Sequence, residues 1–89
     1  MAKRGKLEII KDILTIIHLN HNSMKPTPLL RQSNISTSRF KEYFNELLEK
    51  KFIKEVSNKN KKSISLTDKG FKFLEKYKTI INFIDEFEL

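Results

Sequence analysis

Near the start of the chain, apolar side chains recur at Ile9, Ile10, Ile13, Leu14, Ile16 and Ile17. These positions share one broad face of a 3.6-residue helix, which predicts a helix over residues 6–19. The polar run 20–25 reads as a loop. A short second helix follows, with Thr27 as N-cap and Pro28 in the first turn, where a missing N–H costs nothing. Leu29 and Leu30 face inward. Ser33 and Asn34 end the helix, because both compete for backbone hydrogen bonds and Asn tolerates the left-handed region. Ser36 is the next N-cap. The helix it opens runs to about Lys50, with Phe40, Tyr43, Phe44, Leu47 and Leu48 on its inner face.

The period then changes. Residues 52–57 are rich in strand formers, and Ser63-Ile64-Ser65-Leu66-Thr67 alternates polar and apolar, as a half-buried strand does. Between them lies Asn58-Lys59-Asn60-Lys61-Lys62. Asn accepts the positive φ of a hairpin turn, so the segment predicts a β-hairpin with a cationic tip. Thr67 caps a last helix, and Asp68 complements its positive end. This helix is expected from Asp68 to about Glu88, about 30 Å at 1.5 Å per residue. Phe73, Tyr77, Ile80, Ile84 and Phe87 are spaced 4, 3, 4, 3 along it, a heptad seam. Leu74, Ile81 and Phe83 widen its apolar face.

Composition narrows the function. The 89 residues suit one small domain, and 38% hydrophobic content supports one core. Lys and Arg number 18 against 11 Asp and Glu, a net charge of +7. Such an excess favours polyanions, nucleic acid before an acidic membrane surface. Without cysteine there is neither a disulfide framework nor a thiolate metal site. No apolar run is long enough to span a bilayer, and no signal-type stretch follows the basic start. The expected location is cytoplasmic and nucleoid-associated, with no membrane partner.

The expected fold is mainly α with a small β-hairpin: two short helices joined by a tight turn, a basic hairpin or wing, and a long final helix. This order resembles the archaeal family of small winged helix-turn-helix DNA-binding regulators with a C-terminal coiled-coil dimerisation helix. The matching residues are Arg4, Leu7-Glu8-Ile9-Ile10 and Asp12-Ile13-Leu14, then Ser33-Asn34-Ile35-Ser36 in the turn. Leu47-Leu48-Glu49-Lys50-Lys51-Phe52-Ile53 leads into the wing, and Leu66-Thr67-Asp68-Lys69-Gly70 with Phe73-Leu74 opens the last helix. The chain departs from the family at Lys51, where Gly is usual, and in its short final helix. The resemblance implies DNA binding as a class. The expected division is a winged helix-turn-helix domain with a basic arm over 1–67 and a dimerisation helix over 68–89.

The chemistry of the expected site follows from the helix wheel. With Phe40, Phe44, Leu47 and Leu48 inward, Ser38, Glu42 and Asn45 face outward, and Arg39 and Lys41 lie on the flanks. A B-DNA major groove about 12 Å wide admits one such helix. Ser36, Thr37 and Ser38 sit at its positive end, where hydroxyls and N–H groups meet phosphate. Arg39 is the candidate for a guanine or phosphate contact, Asn45 for adenine and Glu42 for cytosine N4. Glu46 and Glu49 are expected beyond the groove edge. The wing is the stronger electrostatic signal, with six lysines between positions 50 and 62 against Glu55 alone. Lys59, Asn60, Lys61 and Lys62 are its expected phosphate or minor-groove contacts. Lys3 and Arg4 form an expected basic arm. A merely solvated charged face is the plain alternative for the helix and the wing, and a disordered tail is the alternative for the arm.

Phe73, Tyr77, Ile80, Ile84 and Phe87 are the expected homodimer seam, with packing on the first helix as the alternative. His18 and His21 have no evident third metal ligand. No nucleophile with a base and orienting group is evident, so the chain is not expected to be an enzyme, and no cofactor is expected. The expected partners are double-stranded DNA and a second copy of the chain. A sequence-neutral architectural protein and a winged-helix protein-interaction module are the rival readings.

Overall fold

The first helix, α1, spans Lys6–Leu19 and buries Ile9, Ile10, Ile13, Leu14 and Ile17 on the face that the apolar spacing marks. A computed structural model describes residues 5–89, the side chain of Asn58 excepted. After α1 come α2 (Pro26–Ser33), α3 (Thr37–Glu49), β1 (Ile53–Asn58), β2 (Lys61–Leu66) and α4 (Asp68–Glu86). The architecture is the expected one, four helices and an antiparallel hairpin. No described helix is long and apolar enough to cross a membrane.

α2 begins earlier than the sequence suggests. Its N-cap is Lys25, and Pro26 takes the first helical position. Thr27 therefore lies inside the helix and does not cap it. Either proline satisfies the rule for a first turn, and only the path of the preceding loop decides between them. Asn34 ends α2 in the left-handed region at φ 57°, as expected. Buried Ser33 donates its hydroxyl proton to the Leu30 carbonyl at 2.7 Å. Ser36 caps α3 by accepting from the Arg39 N–H.

The loop 20–25 is more structured than expected. Met24 is buried and exchanges both backbone hydrogen bonds with Ile64, at 3.2 and 2.7 Å, adding a one-residue third rung beside β2. Asn22, at φ 56°, accepts the Leu66 N–H on its side-chain oxygen at 2.7 Å. The hairpin is longer at its tip than the sequence reading. Asn58 pairs with Lys61, leaving Lys59-Asn60 as a two-residue turn with φ 46° and 69°. Positive φ at both central residues is the hairpin turn whose twist matches that of the strands.

The core gathers the five α1 residues with Leu29, Phe40, Leu47, Ile53, Ile64 and Leu66. Each fully buried aliphatic contributes roughly 1.5–3 kcal/mol by area. The junction between α3 and α4 is closed by Thr67. Its hydroxyl donates to the Lys51 carbonyl and accepts from the Gly70 N–H, and its own N–H reaches the Phe52 carbonyl. Gly70 is buried against that same carbonyl, and a Cβ there would overlap the Phe52 oxygen. Thus Leu-Thr-x-x-Gly encodes a clip that fixes the root of the wing and the start of α4 together. α4 ends at Glu86, just short of the expected limit.

Candidate nucleic-acid interface

α3 buries Phe40 and Leu47 and half-buries Tyr43, Phe44 and Leu48. Its other side carries Ser38, Glu42, Asn45 and Glu49, all exposed. Ser36, Thr37, Arg39 and Lys41 are exposed as well, so every residue expected on the reading helix reaches solvent. The Phe40 and Phe44 rings stack at 5.4 Å, which holds the inward face rigid. The Arg39 guanidinium lies 6.0 Å from the Tyr43 ring, a cation–π contact that keeps its charge on one flank.

Lys59, Asn60, Lys61 and Lys62 are exposed on the hairpin tip. Successive strand residues alternate faces. Lys62 continues the face of Ile64 and Leu66 beyond the core, and Lys61 takes the opposite face. The two cations therefore flank the ribbon and do not form one row. Lys3 and Arg4 lie outside the described residues.

A feature of this surface that the sequence does not announce is the role of Glu46. It accepts from Lys6 of α1 at 3.0 Å and lies 3.6 Å from Lys50. The hydrogen bond from Lys6, with the added charge of Lys50, holds its carboxyl below the ordinary carboxylate range. An acid of α3 is thus paired within the chain. Lys6 and Glu46 are forty positions apart, so no local spacing could reveal the pair. Lys51 adopts φ 64° and ends α3: its N–H bonds to the Leu48 carbonyl, and the Phe52 N–H bonds to that of Leu47. That is a Schellman end, and a left-handed Lys there costs about 1 kcal/mol relative to Gly.

The two histidines part company. His18 meets the edge of Phe71 at 5.6 Å, whereas His21 sits in the following loop at φ 61°. Along α4, Phe73 packs on the Phe52 ring at 5.6 Å and Tyr77 lies 5.7 Å from the Lys11 ammonium. Ile84 is half-buried, and Ile80 and Phe87 are exposed.

The family profile described as winged helix-turn-helix matches residues 3–85. The chain belongs to the winged helix-turn-helix family. Solved structures share its fold. Sso10a-2, a DNA-binding protein from Sulfolobus solfataricus, superimposes with a TM-score of 0.74 at 19% identity, covering 96% of this chain and 86% of that one. A winged-helix DNA-binding protein from STIV gives 0.72 at 20% identity over 89% and 91%. AF1382 from Archaeoglobus fulgidus gives 0.67 at 23% identity over 90% of each chain. At these identities the likeness is one of fold. No curated protein sequence matches this winged helix-turn-helix chain.

Proposed function

We propose that this winged helix-turn-helix protein is a transcriptional regulator that binds duplex DNA as a two-fold homodimer. α3 enters the major groove and the wing lies on the neighbouring backbone. The observation that carries the reading is the exposed polar face of α3, whose neighbouring acid Glu46 is paired with Lys6 and Lys50, in the same chain as a lysine-tipped hairpin. The DNA-binding proteins that share its fold support it. Ser36, Thr37, Ser38 and Lys41 meet phosphate, while Arg39, Glu42 and Asn45 address base edges. Lys59, Asn60, Lys61 and Lys62 of the wing, with Lys3 and Arg4 of the arm, add backbone contacts whose strength falls with salt.

The dimer is formed by α4. Pairing antiparallel buries Tyr77, Ile80, Ile84 and Phe87, with Phe73 at the inner end of the seam. It brings Asp85, Glu86 and Glu88 towards Lys72, Lys76 and Lys78 of a second copy. Two half-sites about one helical turn apart follow.

Selection from random-sequence duplexes at near-physiological salt tests the proposal. Recovery of a two-fold motif supports a regulator. Binding without a motif replaces it with an architectural role, and absence of binding replaces it with protein docking.

A further inference from the structure

A groove of about 600 Å³ runs between α1 and α4, lined by Lys11, Thr15, His18, Leu74, Tyr77 and Ile81. We propose that this groove receives the end of α4 from a second copy of the chain, so that α1 and two α4 helices form a three-helix contact. The inference rests on the dimer reading above and adds to it the surface of α1 and a register.

The apolar stripe of α4 argues for the occupant. In the first turns it is used within the chain: Gly70 is buried, Phe73 and Leu74 pack on the core, and Tyr77 is half-buried. Beyond Tyr77 the same stripe continues with Ile80 56%, Phe83 54% and Phe87 58% exposed. α1 and α4 run antiparallel, with His18 beside Phe71 and Lys11 beside Tyr77. The groove therefore opens towards the uncovered half of α4. Apolar side chains of this size left in water at one end, next to an apolar-floored groove at the other, are the two halves of a self-complementary surface.

Helix geometry sets the register. Two α4 helices paired antiparallel about a point between Ile80 and Ile81 set the partner's Ile84 level with Tyr77 and the partner's Phe87 level with Leu74. Both then lie over the floor of the groove. The partner's Asp85, Glu86 and Glu88 pass between the levels of Lys11 and His18, with Lys78 on the same rim. These acids form no ion pair among the described residues, and they stand at the negative end of their own helix, where cations are favoured. Lys11, although it also holds Asp12 at 2.9 Å, and Lys78 supply the missing positive charge. Glu8, the acid on the rim, precedes Lys11 in α1. It faces the apolar middle of the incoming helix and not its acidic end.

The chain has no cysteine, so a mixed crosslink reads the contact directly. Thr15→Cys on one chain and Leu89→Cys on another are mixed, allowed to exchange and treated with a short bismaleimide. The expected main product is a covalent heterodimer of twice the chain mass, with neither variant linking to itself. Sedimentation of the same mixture separates the two ways to fail. A dimer that yields no crosslink between positions 15 and 89 overturns the groove and leaves the dimer reading standing. A monomer at high micromolar concentration overturns both.

Discussion

Gly70 and Glu46 each do a job that their neighbours cannot. The Gly70 backbone lies so close to the Phe52 carbonyl that any side chain collides with main chain, and main chain at this crossing is tied on both sides by Thr67. Gly70→Ala is expected to destabilise the fold by about 1–3 kcal/mol, read as a lower denaturant midpoint with an unchanged slope. Glu46 works through charge. Its carboxyl titrates below the usual range in the folded chain, so the unfolded chain takes up a proton first as pH falls. Its contribution is complete above the ordinary carboxylate range and is lost as pH drops through the lowered folded value. Wild type is therefore expected to melt above Glu46→Gln at neutral pH, with the gap closing in acid. Thermal melts of the pair across pH check both the sign and the window. Lys51 shows the converse, a residue tolerated in a left-handed position that would suit Gly better.

Whether an element was legible in the sequence depended on how much of it is local. α1 follows from its own period alone, and its observed ends match those expected. The caps at Ser36 and Thr67 follow because an N-cap acts on a donor three residues away. The start of α2 does not, because two prolines within three residues both fit and the loop before them decides. The Met24–Ile64 rung was invisible, since a single bridging residue has no period. In the candidate site, the outward face of α3 could be read from its helix wheel, and all its expected positions are exposed. The pairing of Glu46 with Lys6 could not, because it depends on how α1 crosses α3. At this scale the proposal predicts separable effects. Lys61→Ala with Lys62→Ala should flatten the salt dependence of DNA affinity by about one to two units, the lower figure applying if lysines on opposite faces do not both reach phosphate. Arg39→Ala should cost about 1–3 kcal/mol on the preferred sequence and less on others, measured by anisotropy against matched duplexes.

The described residues span 49 × 28 × 21 Å, longest because α4 carries 19 residues and packs only its first turns on the core. Small domains gain stability when apolar surface left over by their own core is covered by another chain. The uncovered part of α4 is separate from the clip at Thr67 and Gly70, so association and folding can be altered independently. Ile80→Glu with Phe87→Glu changes two exposed side chains. The variant is expected to keep its helical content and to sediment as a monomer where wild type is a dimer. Its DNA affinity should fall with the loss of the second half-site.

In the proposed complex the outward side of α3 and the lysine-tipped hairpin meet the same duplex. An amide NMR titration with duplex DNA at near-physiological salt examines that placement residue by residue. Shifts are expected to concentrate at residues 36–45 and 59–62, with the amides facing the α1–α4 groove unmoved. Shifts centred on that groove, or on either reading element without the other, would contradict it.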